Sequence, residues 1–171
     1  ASRTDWVSNL TQENRSITYP SASISFLPSK AIEAIQESEF VNFLKLRAGL
    51  GTSANFQSGY PVATTLSLNT QAFNTDEGVD VVTNTTSSFL GNPDLKPETV
   101  TSNEFGLELS MLSNKLTLDV TVYNMETTDL IFDVPVPAAT GFLFNRENIG
   151  KVTNKGLEIA LGATLLESND F

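Results

Sequence analysis

The chain is 171 residues long and 40% hydrophobic, with 10 Lys and Arg against 20 Asp and Glu, a net charge of −10. That length suits one ordinary domain, and the acidic balance argues against nucleic acid as a partner, which needs a basic footprint. The absence of Cys and His excludes disulfides, thiolate nucleophiles, Cys/His zinc sites and His general bases.

No apolar run approaches the ~20 residues of a membrane helix, so any membrane crossing falls to strands. Ala1 is not an initiator Met and no signal peptide is legible, so the expectation is a processed or excerpted chain. Ala1 to Ser8 gives no clear strand signal, and Asn9 to Ser16 reads as a polar loop. From Ile17 to Leu27 the pattern alternates: Ala22, Ile24 and Phe26 share one face, and Ser21, Ser23 and Ser25 the other. A Ser-lined face suits solvent or a wet lumen rather than a dry core. Pro28 ends the strand, since it cannot donate to a ladder. Ser29 to Glu39 spaces Ile32 and Ile35 as a short helix inside a turn, with Ser29 as N-cap.

The next strand runs from Val41 to Gly51. Leu44, Leu46, Ala48 and Leu50 alternate with Lys45, Arg47, Gly49 and Gly51. Thr52 to Val100 shows no sustained period; so long an irregular stretch is uncommon in a compact domain unless it is functional or disordered.

The clearest signal is a hairpin from Thr101 to Glu126. Phe105, Leu107, Leu109 and Met111 alternate with Glu104, Gly106, Glu108 and Ser110; after the turn Ser113-Asn114-Lys115, Leu116, Leu118, Val120 and Val122 alternate with Thr117, Asp119, Thr121 and Tyr123. Alternating segments of about ten residues joined by a short turn mark a transmembrane β-barrel hairpin, and also fit a sandwich hairpin. Asp129 to Val136 is apolar and Thr140 to Asn148 reads as a loop. Lys151 to Leu166 is the last strand, and Glu167 to Asp170 a turn. Connections alternate short and long, at 28–40, 52–100, 113–115, 127–150 and 167–170. A barrel with one tight and one elaborated rim has that rhythm; a sandwich has no reason for it.

On the inner face of such a barrel fall Lys45, Arg47, Glu104, Glu108, Asp119 and Glu158. Paired carboxylates do acid–base work in some sites, but no nucleophile or electrophilic helper accompanies these. Mutual neutralisation is the plainer reading, and no catalytic residue is assigned. Asp76-Glu77-Gly78-Val79-Asp80 looks like part of an oxygen-ligand calcium loop but lacks the twelve-residue spacing, so no metal is assigned. No cofactor motif is present.

The segments LGNPDLKPET, NEFGLEL, LDVTVYNMETTDLI, VPVPAATGF and NIGKVTNKGLEIAL occur in that order and resemble the SusC/RagA family of TonB-dependent outer-membrane transporters. YPSASISFLPS and FLKLRAGLGTSAN look like the preceding strands of that family. The resemblance implies an all-β fold: five or six antiparallel strands from the wall of a larger, 22-stranded transmembrane β-barrel, with long extracellular loops and short periplasmic turns. Residues 1–171 would then be part of one barrel domain, with the plug, the TonB-contacting segment and the C-terminal strands lying outside it. It implies a Gram-negative outer membrane, contact with its lipid, a SusD-like surface lipoprotein as partner, energy through TonB, and a glycan or peptide substrate. Tyr60, Phe73, Phe89, Phe142 and Phe144 become extracellular candidates for contact with ligand or lid. The alternative is a secreted soluble β-sandwich, an adhesin or carbohydrate-binding module, whose apolar stripes would be buried against a second sheet.

Overall fold

The computed structural model describes residues 1–74 and 80–165. Its centre is a six-stranded antiparallel sheet, formed by β1 (Ser2–Trp6), β2 (Ser16–Phe26), β3 (Val41–Asn55), β7 (Glu98–Met111), β8 (Leu116–Thr128) and β11 (Lys151–Ala163) in that spatial order. Each long strand forms where the sequence alternates, and the register brings equivalent faces together. Leu44, Leu109, Leu118 and Leu161 lie in one cross-strand row. Phe26, Leu46, Leu107, Val120 and Ile159 make the next row, and Ile24, Ala48, Phe105, Val122 and Leu157 the third. A one-residue slip of any strand would move its whole apolar set to the opposite face, so these rows fix the register.

Nothing among the described residues covers this apolar face. Ile24 is 71% exposed, Ile159 63% and Leu161 70%. Among the described residues, prolines aside, the buried hydrophobic side chains are Leu10 and Leu95, and both lie in loops rather than in the sheet.

The two ends of the sheet differ. At the turn end the 113–115 turn starts one residue earlier than expected. Leu112, Ser113 and Asn114 all take left-handed backbone, and the Leu112 N–H donates to the Phe40 carbonyl at 3.0 Å. The segment after Pro28 forms two four-residue helical turns, α1 (Pro28–Ala31) and α2 (Glu33–Gln36). Ser29 does not cap them. The N-cap positions are Leu27 and Ile32, without side-chain caps, and the Ser29 hydroxyl donates to the Leu44 carbonyl at 3.2 Å. Proline at the first helical position explains this start: its missing N–H is one that a helix leaves unpaired anyway.

The loop end carries more structure than periodicity foretold. The first residues form β1, held on the opening half of β2, with Ser2 opposite Pro20 and Trp6 opposite Ser16. Pro20 is accommodated inside β2 where pairing passes from β1 to β3, so its missing N–H interrupts no ladder towards β3. The stretch 52–100 is not structureless. β3 runs on to Asn55, β7 begins at Glu98, and between them stand β4 (Leu66–Asn74) and β5 (Asp80–Thr86), paired antiparallel, and β6 (Phe89–Leu90). The expected loop 140–148 likewise contains β10 (Phe144–Asn148). It joins β9 (Ile131–Pro135) antiparallel and β6 parallel in a second small sheet. The expected 167–170 turn and residues 76–79 of the acidic loop lie outside the described residues.

Candidate functional site

The polar face of the sheet gathers five of the six charged candidates. Register places Lys45 opposite Glu108 and Glu108 opposite Asp119. One row along, Arg47 faces Gly106 and Gly106 faces Thr121. Lys45 Nζ donates to Glu108 Oε1 at 2.9 Å. The Arg47 guanidinium reaches Glu108 at 3.4 Å, Asp119 Oδ1 at 3.2 Å and the Thr121 hydroxyl at 2.5 Å, and its Nε lies 3.9 Å from Glu104 Oε1. The Thr121 hydroxyl donates onward to Asp119 at 3.2 Å. Glu158 shares this face, opposite Thr121, but is exposed and enters no ion pair among the described residues.

Arg47 reaches Asp119 only because the residue between them has no side chain. A Cβ on Gly106 would sit 2.1 Å from Arg47 Nε and 2.7 Å from its Cγ. The strand glycine therefore lets a long cation lie flat across its neighbour and bond to the strand beyond, a role for strand glycine that requires close approach. Gly156 does the same for Tyr123, whose ring would stand 2.4 Å from an added Cβ. The arrangement is an interlocked ion-pair lattice with its cations already engaged. It offers neither a nucleophile nor a lone poised acid.

The loop end is tied together by one segment, Asn92 to Glu98. Asn92 Nδ2 donates to the Arg146 carbonyl at 2.6 Å, and its Oδ1 accepts from the Asp94 N–H at 3.0 Å. The carbonyls of Pro93 and Asp94 accept from Thr11 Oγ1 and Asn14 Nδ2, at 3.1 and 3.3 Å. Leu95 is fully buried, and Pro97, two residues on, is buried as well. Asn148 grips both backbone groups of Lys96: its Oδ1 accepts from the Lys96 N–H at 2.7 Å and its Nδ2 donates to the Lys96 carbonyl at 2.9 Å. Glu98 accepts from Asn55 Nδ2 at 2.8 Å and from the Ile131 N–H at 2.9 Å. The NPDLKPE and NIGK segments that carried the sequence resemblance thus meet physically, through Asn148.

The aromatic candidates divide. Phe89 and Phe144 pack with ring centroids 5.7 Å apart. The Arg146 guanidinium lies 4.4 Å over the Phe89 ring and pairs with Asp133 at 3.0 Å. Phe89, Arg146, Gly91 and the exposed Tyr60 line one cleft of about 160 Å³. Phe142 is half-buried and does not line it. The Phe73 side chain lies outside the description, as do 76–79 of the acidic stretch. Arg146, Asp133 and Asn148 were not singled out from sequence. Arg146 and Asn148 meet Asn92 and Lys96 far along the chain, Asp133 meets Arg146 across the β9–β10 pair, and no local period marks them.

The family described as TonB dependent receptor-like, beta-barrel, matches residues 1–169. The chain belongs to this family. It is 34% identical over 169 residues to TonB-dependent receptor P26 of Formosa agariphila, covering 99% of this chain and 17% of that protein. To TonB-dependent receptor SusC of Bacteroides thetaiotaomicron it is 27% identical over 172 residues, covering 99% of this chain and 17% of SusC. Among solved structures, the RagAB peptide importer in its closed-closed state superposes with a TM-score of 0.82 at 30% identity, over 99% of this chain and 18% of that one. This TonB-dependent receptor segment therefore spans about a sixth of the length of the curated relatives it matches. Its open antiparallel sheet matches a barrel wall, and the SusC/RagA resemblance read from NPDLKPET and NIGKVTNKGLE holds.

Proposed function

We propose that this chain is a section of the wall of an outer-membrane transporter of a Gram-negative bacterium. The observation that carries the reading is the division of one sheet into two unlike faces. Three apolar rows lie uncovered on one side, and the Lys45–Arg47–Glu104–Glu108–Asp119 lattice occupies the other. Barrel strands in a membrane alternate apolar-out and polar-in. On this reading the apolar rows face lipid and the lattice faces the lumen. The loop end, with its Tyr60–Phe89–Arg146 cleft, faces outward, and α1, α2 and the 112–115 turn face the periplasm.

The intact receptor would be a 22-stranded barrel whose plug, TonB-contacting segment and C-terminal strands come from the remainder of a longer polypeptide. It would import glycans or peptides, drawing energy through TonB, under a SusD-like lipoprotein that covers the mouth. Similarity to the RagAB peptide importer and to SusC supports that assignment. The strands serve as structure, and the outer loops contribute to substrate capture and lid docking; no catalysis is assigned. The sandwich alternative needs a second sheet over the apolar rows, and the described residues place none there.

The test uses the intact receptor in vesicles, with a fluorescent label at Leu118 and another at Glu104. Quenching of the Leu118 label by brominated lipid, with the Glu104 label quenched only by aqueous iodide, is the expected result. A Leu118 label shielded from both quenchers would refute the lipid-facing assignment. Deleting 60–90 then addresses the loop: unchanged uptake with unchanged lid association would remove its functional role.

A further inference from the structure

We infer that residues 92–98 act as a stiff strut that joins the surrounding loops into one body, so that the Tyr60–Phe89–Arg146 cleft opens and closes as a whole rather than loop by loop. This does not depend on which face of the sheet meets lipid. The strut is stiff by composition. Pro93 and Pro97 each fix φ. Asn92 Oδ1 accepts from the Asp94 N–H at 3.0 Å, an Asx turn, and Leu95, between the prolines, is fully buried. Its foot is fixed to the sheet. Glu98 opens β7 and accepts from Asn55 at the end of β3 and from the Ile131 N–H at the start of β9.

Three loops fasten to the strut. The first, 9–16, donates from Thr11 Oγ1 and Asn14 Nδ2 to the strut's carbonyls. The second, 57–65 with 87–91, is held where the Asn92 N–H donates to the Pro61 carbonyl at 3.0 Å. There Gly91 lies so close to Ala63 and Thr64 that an added Cβ would stand 2.6 Å from their backbone. The third, 131–148, is held by Asn92 Nδ2 on the Arg146 carbonyl and by Asn148 on Lys96. The loops also meet one another. Asn9 Nδ2 donates to the Gln57 carbonyl, and the Leu143 and Phe144 N–H groups both donate to the Ser88 carbonyl, at 2.9 and 3.2 Å. The ties therefore form closed rings rather than a branched chain. Tyr60, Phe89 and Gly91 of the cleft come from the second loop and Arg146 from the third. In a body closed this way, weakening one tie eases the opening of every amide in it, whereas independent loops would each feel only their own loss.

The experiment is hydrogen exchange, read by mass spectrometry, on the intact receptor in lipid vesicles. The parent is compared with two variants that cut ties at opposite ends of the strut. Thr11→Val with Asn14→Ala frees the first loop and removes no bond of the third, and Asn148→Ala does the reverse. The expected result is severalfold faster exchange in 143–148 for T11V/N14A, in 11–15 for N148A, and in 60–63 beside the cleft for both, with β8 unchanged. Acceleration confined to the substituted loop in either variant overturns the inference, as does exchange unchanged throughout. Equal acceleration in β8 also overturns it, because the effect would then be a general loss of stability rather than the loosening of one body.

Discussion

Replacing Gly106 with Ala tests whether the charged lattice depends on an empty position. The added methyl would sit 2.1 Å from Arg47 Nε and 2.9 Å from Cδ, so the Arg47 side chain must lift off the strand. It would then lose Asp119 at 3.2 Å, Thr121 at 2.5 Å and Glu108 at 3.4 Å together. Arg47 is 35% exposed, so each ion pair is screened and contributes about 0.2–1 kcal/mol, while the charge-assisted bond to Thr121 adds up to about 1.5 kcal/mol. Displacement should cost about 1–3 kcal/mol. Ala is itself better than Gly inside a strand by about 0.5–1 kcal/mol, which leaves a net loss centred on about 1 kcal/mol, within a range of about 0–2.5 kcal/mol. The assay is a urea titration of the intact receptor in lipid vesicles, repeated with Arg47→Ala as background. That variant removes the aliphatic stem as well as the charge, because Cγ also lies within 2.7 Å of the added methyl. There Gly106→Ala should become neutral or stabilising. Equal destabilisation in both backgrounds would refute the idea that Gly106 exists to let Arg47 pass.

Further outcomes follow from the same geometry. Ile159→Lys, in the central apolar row, should cost about 2–4 kcal/mol in vesicles, whereas Ala160→Lys, which faces Asp119 on the polar side, should cost little; the same urea titration separates them. Leu95→Ala should destabilise the loop end by about 2–5 kcal/mol while leaving the strands intact, seen as faster hydrogen exchange in 92–98 and 144–148 with unchanged exchange in β7 and β8. Asn148→Ala removes both bonds to Lys96 and should cost about 0.5–1.5 kcal/mol per bond, read as increased protease cleavage near Lys96.

The sheet was legible because its two faces, one apolar and one charged, impose opposite demands on successive residues. Every strand bearing that demand, from β2 to β11, alternates, and the rows of Leu, Val and Ile follow from it. β4, β5 and β10 were missed because their few apolar residues do not keep a sustained alternation: LSLNTQAFN loses it after Leu68, DVVTNTT sets two Val side by side, and FNREN has one aromatic. The charged site was legible as a set but not as a network. Sequence grouped Glu158 with the others, and only the register shows that Arg47 crosses Gly106 to Asp119 while Glu158 remains apart. Asn148 and Arg146 act through partners some fifty residues away, such as Lys96 and Asn92, which no local pattern announces.

The tie between Asn92–Glu98 and the other loops also sets an order of assembly. Thr11 meets Pro93 across 82 residues and Asn14 meets Asp94 across 80, whereas β7 and β8 are joined by a tight turn. Contacts that close long stretches of chain form late, because the entropy of bringing their ends together is repaid only once intervening strands lie side by side. Hairpin β7–β8 would thus zip first and the loop end would knit last. An arrested intermediate should carry paired strands beneath loops still open to protease.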